Sequence, residues 1–238
     1  MELKNKIVLI TGASKGIGKD LSTALAEQGA TVVITARTQK LLARLQSEIG
    51  KAGGSAYYIT ADLCKHKHIE QLFARIKKQF GRLDVLINNA GIGIFGQLVD
   101  FSMKDFDKIM EINVRAVYIC CQQALKMMMA AQKGHIINMS SAACLKGYAN
   151  QTAYIASKQA IIGLTRSLAA EVQKHQISVS VLLPGGVDTE MIAAARPDLD
   201  QSVLIPPSDI SKTVLYMLSL SPRSTIDEIF IRRRAKPI

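Results

Sequence analysis

Residues Lys6–Gly18 read KIVLITGASKGIG. The first half is a run of β-branched and aliphatic residues, which is typical of a buried strand. The second half places glycines at 12, 16 and 18, directly before a stretch of helical period. Glycines allow a tight turn and let backbone N–H groups approach a phosphate at the helix N-terminus. The segment predicts a strand–turn–helix unit suited to a pyrophosphate, although glycines also serve such turns without any ligand.

The same alternation of strand and helix continues along the chain without a break. It predicts one α/β domain over residues 1–238, a doubly wound Rossmann fold whose seven-stranded, mostly parallel sheet has helices on both faces. The irregular stretch at about 185–207 is expected to be a substrate loop. The predicted strands are Lys6–Thr11, Thr31–Ala36, Ala56–Thr60, Leu83–Ile87, His135–Met139, Ile177–Leu183 and Glu228–Ile231. The predicted helices are Ile17–Gln28, Gln39–Ala52, Ile69–Phe80, Met103–Gln132, Thr152–Lys174 and Ser208–Leu220.

Composition narrows the functional classes. Apolar residues make up 48% of the chain, enough for a sizeable core. No apolar run approaches the roughly 18 residues of a membrane span, and no secretory signal pattern precedes the first strand. We therefore expect a cytoplasmic protein without a membrane partner. The four cysteines show no metal-ligand spacing, so we expect reduced thiols and no metal.

The chain is strongly basic, with 30 Lys and Arg against 19 Asp and Glu, a net charge of +11. Such a charge suits nucleic acid, a membrane surface, an acidic protein or a phosphorylated cofactor. No helix-turn-helix signal or RNA-binding signature accompanies it, and we expect no nucleic-acid partner. The densest cluster, Arg232–Arg234, is interpreted as a solvated tail.

The end of the second predicted strand indicates which phosphorylated cofactor fits. Dinucleotide folds often place an acidic residue there to bind the adenosine ribose, but this stretch reads Thr35-Ala36-Arg37-Thr38. Arg37, with Lys15 in the glycine turn, offers cationic donors to a 2′-phosphate. This favours NADP(H) over NAD(H). The alternative is that both residues are surface charges without a ligand.

Ser141, Tyr154 and Lys158 form the most specific constellation. Tyr154 and Lys158 are four residues apart and share one helix face. An ammonium near a phenol favours the phenolate and brings its pKa towards neutrality, so we expect Lys158 to activate Tyr154 as an acid–base group. Ser141 is placed to donate a hydrogen bond to a substrate oxygen. Taken singly, each is commonplace: Ser141 could cap a helix, and the other two could be a half-buried face.

Over nearly its full length the chain resembles the short-chain dehydrogenase/reductase family. Four residues correspond to that family's catalytic residues: Asn113, Ser141, and the Tyr-x-x-x-Lys pair Tyr154 and Lys158. The resemblance implies that Asn113 supports a proton relay through Lys158. It also implies a set of cofactor contacts by Gly12, Ser14, Lys15, Gly16, Ile17, Gly18, Arg37, Thr38, Asp62, Leu63, Asn89, Ala90, Gly91, Tyr154, Lys158, Pro184, Gly185, Val187 and Thr189.

Several of these residues have structural alternatives. Asp62 could cap the following helix, and Asn89 could hold the end of its strand through side-chain hydrogen bonds. Asn113 lies in the middle of a predicted helix, where Asn is disfavoured, and this favours a functional role.

The resemblance predicts a carbonyl reductase or alcohol dehydrogenase in which Tyr154 is the general acid. The loops expected around the site are apolar, so we expect a hydrophobic ketone or aldehyde. The second hypothesis is a 3-oxoacyl-(acyl-carrier-protein) reductase with an acidic carrier protein as partner. It ranks below the first because Ala170 stands where those enzymes often have a basic residue. A non-catalytic NADPH-sensing regulator is the third. The family's habit of pairing two long helices between subunits implies a homodimer or homotetramer.

Overall fold

The computed structural model describes residues 3–195, 200–221 and 223–234. Its centre is one seven-stranded sheet with the order β3-β2-β1-β4-β5-β6-β7, and every pair of neighbouring strands is parallel. The order reverses between β1 and β4, which is the switch point where doubly wound folds bind ligands. The strands are β1 Ile7–Thr11, β2 Thr31–Ala36, β3 Ser55–Thr60, β4 Val85–Asn88, β5 Gly134–Met139, β6 Ile177–Pro184 and β7 Glu228–Ile231.

Eight α-helices connect these strands in the described part of the chain. They are α1 Gly16–Glu27, α2 Gln39–Lys51, α3 His66–Phe80, α4 Met103–Met110, α5 Ala116–Ala131, α6 Thr152–Val172, α7 Glu190–Ala195 and α8 Pro207–Ser219. Side chains alternate between the two faces of the sheet: Leu9 packs with α3, α5 and α6, whereas Val8 and Ile10 pack with α1, α2 and α8. The predicted fold class is confirmed, and both faces of the sheet are covered.

Most predicted elements end within one to three residues of the observed ones. Glycine explains two of the helix ends: Gly29 and Gly53 follow α1 and α2 with φ angles of 81° and 84°, the left-handed conformation that glycine adopts without strain.

Two predictions needed revision. The long helix predicted over Met103–Gln132 is interrupted by a π-helical turn, Glu111–Arg115, with Asn113 buried inside it. The region predicted to be irregular contains helix α7 and a short 3₁₀ turn, Gln201–Val203. Residues 196–199 of the predicted substrate loop lie outside the described residues. Within the described residues, no helix is long and apolar enough to cross a membrane.

Candidate active site

The predicted site residues follow the carboxyl ends of neighbouring strands. The glycine turn follows β1, Asn89–Gly91 follows β4, Ser141 follows β5 and Gly185 follows β6. Because these four strands are adjacent and parallel, all four segments meet at one edge of the sheet. Helix α6 carries Tyr154 and Lys158 to the same edge, and its Lys158 carbonyl accepts a 2.8 Å hydrogen bond from the Ser140 hydroxyl.

The glycine turn leaves backbone donors free at the start of α1. Lys15, at the N-cap of α1, makes no side-chain capping bond, so the first N–H groups of the helix have no capping acceptor. Gly12 has a φ of 66°, and a Cβ at this position would lie 2.8 Å from the Ala90 Cα. A Cβ on Gly18 would overlap the Gly12 carbonyl oxygen. The turn therefore requires these two glycines and presents its N–H groups as an anion site.

Asn89 holds this turn from the neighbouring strand. Its Nδ2 donates to the carbonyl oxygens of Thr11 and Gly12, at 2.9 and 3.2 Å. The Thr11 hydroxyl oxygen accepts from the N–H groups of Asn89 and Ala90, both at 3.0 Å. The Asn89 amide group is thus committed to backbone partners, and it supports a cofactor by fixing the turn. Sequence reasoning missed Thr11, whose position at a strand end gave no signal of this double contact.

Asn113 is fully buried and links three segments of the site. Its Oδ1 accepts from the Ile92 N–H at 2.8 Å, and its Nδ2 donates to the Ile92 carbonyl at 2.9 Å and to the Ser157 hydroxyl at 3.0 Å. Ser157 in turn donates to the Tyr154 carbonyl at 2.6 Å. The π-helical turn exposes Asn113 to these partners, because it widens the helix at this point. Sequence reasoning missed Ser157.

Lys158 is a buried cation at the base of the site. Its Nζ donates to the Met139 carbonyl at 2.9 Å, and burial lowers its pKa from 10.5 to about 8. The Lys158 Nζ and the Asn113 Oδ1 lie 3.3 and 3.2 Å from the place where a Cβ on Gly91 would stand. Gly91 therefore keeps open the space between the ammonium and the amide oxygen. An ammonium has three protons, so Lys158 retains donors beyond its bond to Met139.

Tyr154 is shifted in the direction opposite to the sequence prediction. Burial raises its pKa above the ordinary value of 10, while its interaction with the Ser141 side chain opposes that rise. The Cys144 side chain adds to the rise, and the Lys158 Nζ donates to the Met139 carbonyl. The expected activation of the phenol by Lys158 stays a prediction, because burial is the largest cause of this shift. A neutral phenol is a proton donor, which suits the role of general acid.

The Ser141 hydroxyl both caps a turn and faces Tyr154. Its oxygen accepts from the Ala143 N–H at 3.2 Å, at the start of the 3₁₀ turn Ala142–Leu145. The proton of the hydroxyl is not used by this bond, so it can be donated to the Tyr154 oxygen or to a substrate oxygen. The capping alternative and the catalytic one are compatible.

Phe95 packs on the phenol, and exposed apolar side chains lie in the segments that follow β5 and β6. The Phe95 ring lies edge-on to Tyr154, with ring centroids 5.4 Å apart, and the Gly96 N–H donates to the Asn150 carbonyl at 2.9 Å. Leu145, Tyr148 and Met191 are exposed, with 57%, 50% and 40% of their surfaces accessible. Apolar surface exposed beside a polar centre is typical of a ligand-binding region.

The residues predicted at the adenosine end are also brought to this edge of the sheet. Arg37 is exposed after β2, and Thr38 precedes α2 without a side-chain capping bond. Lys15 is partly exposed, and its Nζ lies 2.6 Å from the Glu190 Oε2 of α7. Asp62 does not cap α3, whose N-cap is Lys65; its carboxylate instead accepts from the Cys64 N–H at 3.2 Å. Leu63 is buried in the core, which leaves only its backbone for a cofactor.

The segment after β6 is held against the glycine turn and the last strand. The Gly185 N–H donates to the Ile231 carbonyl at 2.7 Å, and Val187 is buried and forms a bridge with Ile205. Thr189 reaches the glycine turn, since its Cγ2 lies 3.0 Å from the position of a Cβ on Gly16. Pro184 is the last residue of β6, and the segment after it contacts both the glycine turn and β7.

A family model for the short chain dehydrogenases matches residues 6–200. The chain belongs to the short-chain dehydrogenase family. An uncharacterized oxidoreductase of Staphylococcus aureus (strain N315) is 31% identical over 97% of this chain and 98% of its own. A 3beta-hydroxysteroid dehydrogenase of Mediterraneibacter gnavus is 33% identical over 82% of this chain and 70% of its own length.

Solved structures of short-chain dehydrogenases superimpose closely on this one. A metagenomic short-chain oxidoreductase in complex with NADP has a TM-score of 0.87 and 34% identity, covering 99% of this chain and 100% of that one. A variant of actinorhodin polyketide ketoreductase with NADPH has a TM-score of 0.91 and 27% identity, covering 96% of each chain. The fold and the oxidoreductase class of this short-chain dehydrogenase agree with the sequence prediction.

Proposed function

We propose that this short-chain dehydrogenase is an NADPH-dependent carbonyl reductase that acts on hydrophobic ketones or aldehydes. The observation that carries the proposal is the pairing of Tyr154 with Ser141. A phenol whose pKa is raised by burial stays protonated at neutral pH, and it stands beside a hydroxyl that has a proton to donate. Two neutral donors that converge on one point suit a carbonyl oxygen that gains negative charge.

The residues present fit a dinucleotide. The uncapped start of α1 and the glycine turn suit its pyrophosphate. The buried Lys158 ammonium, with donors beyond Met139, suits the hydroxyls of the nicotinamide ribose. Arg37 and Lys15 suit a 2′-phosphate, and two solved relatives of this family were crystallised with NADP or NADPH. When bound there, the cofactor would supply the hydride for the carbonyl carbon.

The chain's own groups then manage the proton and the developing charge. Ser141 donates a hydrogen bond to the substrate oxygen, and the Tyr154 hydroxyl transfers its proton to that oxygen. Lys158 stabilises the resulting phenolate. Protons reach its ammonium through the space that Gly91 leaves between the Lys158 Nζ and the Asn113 Oδ1. Asn113 is held for this task by Ile92 and Ser157.

The substrate class is proposed from the surroundings of the phenol. Phe95 packs on the phenol, and we take the exposed side chains of Leu145, Tyr148 and Met191 as the rest of an apolar rim. Relatives named as a hydroxysteroid dehydrogenase and a polyketide ketoreductase are consistent with large, apolar ketones or alcohols as substrates. A 3-oxoacyl thioester on an acidic carrier protein is the alternative, favoured by the net charge of +11.

We further propose that the protein assembles as a homodimer or homotetramer in the cytoplasm. Helix α5 leaves Tyr118 and Met129 exposed, with 56% and 39% of their surfaces accessible, and a subunit packed against this helix would cover them. The four cysteines are free, which is usual for proteins of a reducing compartment. Light scattering that gives the mass of a monomer would contradict the assembly.

The test is NADPH oxidation followed at 340 nm with a panel of apolar ketones, aldehydes and 3-oxoacyl thioesters. The proposal expects turnover of at least one carbonyl class, with a preference for NADPH over NADH. Activity on thioesters alone would favour the acyl alternative. NADPH binding without turnover of any panel member would contradict the reductase and favour a sensor.

A further inference from the structure

The arginines at 232–234 lie at the ligand-binding edge of the sheet. Strand β7 runs parallel to β6, with Pro184 paired to Ile231, so the chain leaves β7 at the same edge where the site residues lie. Arg232 follows Ile231 directly. The sequence alone suggested a solvated tail, but the direction of β7 brings these side chains to the functional edge.

Two contacts fix the start of this segment. The Ile231 carbonyl accepts from the Gly185 N–H at 2.7 Å. The Arg233 side chain covers Gly186, since its Nε and Cδ lie 3.5 and 3.6 Å from the place where a Cβ would stand, and Leu204 flanks the same point. Gly185 and Gly186 come directly after Pro184, in the segment that also includes Val187 and Thr189. Arg233 therefore packs against the segment that follows β6 at the functional edge of the sheet.

The three guanidinium groups have no carboxylate within 4.0 Å among the residues that the structure describes. Of the other described arginines, Arg44, Arg82, Arg115 and Arg166 each pair with an acidic side chain, whereas Arg37, Arg75 and Arg223 stand singly without a described carboxylate within 4.0 Å. Three consecutive unpaired cations repel each other, and an anion bound between them would relieve that repulsion.

The order of the strands shows that this anion is not the 2′-phosphate of the cofactor. Five strand spacings, about 24 Å, separate β7 from β2, where Arg37 lies. Two spacings, about 10 Å, separate β7 from β5, which is followed by Ser141. The cluster is therefore on the substrate side of the reacting groups.

We propose that Arg232, Arg233 and Arg234 bind an oxyanion carried by the substrate about 10 Å from its reducible carbonyl. The oxyanion is a carboxylate or a phosphate at the far end of an apolar keto compound. The apolar rim contacts the connecting chain, and the arginines select the charged end. This inference rests on the proposed reductase activity and narrows its substrate class to amphipathic, anionic carbonyl compounds.

The experiment compares matched charged and neutral substrates. One pair is 8-oxononanoate and its methyl ester, and the other is 7-oxooctyl phosphate and 7-oxooctanol. For the wild type we expect kcat/KM to be roughly 10- to 100-fold higher for the charged member of one pair, by the usual worth of a charge pair at a binding site. In Arg233→Gln this ratio should fall towards one, and Arg233→Lys should restore part of it. Which pair responds identifies the carboxylate or the phosphate.

Arg223→Gln is the matched control, because Arg223 precedes β7 at the opposite edge of the sheet and the same charge is removed. Its charged-to-neutral ratio should equal that of the wild type. A wild-type ratio near one for both pairs, or an equal fall in Arg223→Gln, would overturn the proposal.

A binding measurement separates this inference from the reductase proposal. Calorimetry on Tyr154→Phe with saturating NADPH measures the affinity for both pairs without turnover. Tighter binding of a charged member that is lost in Arg233→Gln supports the oxyanion site, even if the wild type reduces neither compound. Equal binding of charged and neutral members overturns it, whatever the activity.

Discussion

The Lys15 ammonium lies 2.6 Å from the Glu190 carboxylate, so an ion pair joins the glycine turn to the first residue of α7. Both side chains are substantially exposed. Thr189, the neighbour of Glu190, also contacts the turn at Gly16. The same lysine is the proposed ligand of a 2′-phosphate, and Glu190 therefore competes with the cofactor for it.

Glu190→Gln is expected to strengthen NADPH binding by up to about fivefold, because an exposed ion pair is worth roughly 0.2–1 kcal/mol and the variant releases Lys15 from it. NADH, which has no 2′-phosphate, should bind with unchanged affinity. Lys15→Ala should weaken NADPH binding by about tenfold and reduce the preference over NADH. Fluorescence titration measures both constants. An equal effect of Lys15→Ala on NADPH and NADH would contradict the assignment.

Gly18→Ala should abolish cofactor binding and reduce stability, because the new Cβ would overlap the Gly12 carbonyl oxygen and crowd the Asn89 amide. Gly163→Ala is the control: this glycine lies inside α6, and an added Cβ would meet nothing within 4 Å. Ala is favoured over Gly in a helix interior by about 0.5–1 kcal/mol, so this variant should be more stable than the wild type. Urea unfolding and NADPH titration separate the two outcomes.

Lys158→Met should raise the free energy of unfolding at pH 7 while it removes activity. The pKa of Lys158 is about 8 in the folded chain and ordinarily 10.5, so burial of the ammonium costs about 3 kcal/mol below pH 8. Loss of its hydrogen bond to Met139 offsets about 1 kcal/mol, which leaves a gain of about 2 kcal/mol.

The gain in stability from Lys158→Met depends on pH in a defined way. Between pH 8 and 10.5 the unfolded chain binds more protons than the folded one, so wild-type stability rises with pH and the advantage of Lys158→Met shrinks. Lys126→Met, at an exposed position of α5, should change stability by less than about 0.5 kcal/mol at any of these pH values. An advantage of Lys158→Met that does not vary with pH would show that the buried charge is not its cause.

Asn113→Ala should destabilise the protein by about 2–3 kcal/mol, because the N–H and carbonyl groups of Ile92 lose their partner. Activity should fall as well, since Ile92 adjoins Gly91 beside Lys158. Ser157→Ala is the milder companion: it removes one hydrogen bond of the Asn113 amide and keeps both bonds to Ile92. We expect a loss of about 1 kcal/mol by urea unfolding. If Ser157→Ala costs as much as Asn113→Ala, the link to Ile92 is not the principal one.

The fold was predictable because its signals are local. Buried strands such as Val32–Ile34 are aliphatic runs, and helices such as α3 repeat their apolar residues at helical spacing. The π-helical turn was not predictable, because Asn113 gains its partners from Ile92 and Ser157, which are 21 and 44 residues away. Helix α7 was missed since its six residues are too few for a periodic pattern.

The site was predictable as a set of residues and less so as an electrostatic environment. Strand-end motifs indicated which segments meet, and the spacing of Tyr154 and Lys158 indicated a shared face. The direction of the Tyr154 pKa depends first on burial and then on the Ser141 and Cys144 side chains, and none of these effects is encoded in that spacing. The position of Arg233 over Gly186 likewise follows from the pairing of β6 with β7.

Replacement of Tyr154 by Phe, assayed by NADPH oxidation at 340 nm on the best carbonyl substrate, tests the central claim most directly. Phe keeps the apolar ring against Phe95 and removes only the hydroxyl that donates the proton. The account predicts that kcat falls by roughly 10²- to 10⁴-fold while the dissociation constant of NADPH stays within about threefold of the wild type. A variant that reduces the substrate at nearly the wild-type rate would contradict the assignment of Tyr154 as the general acid.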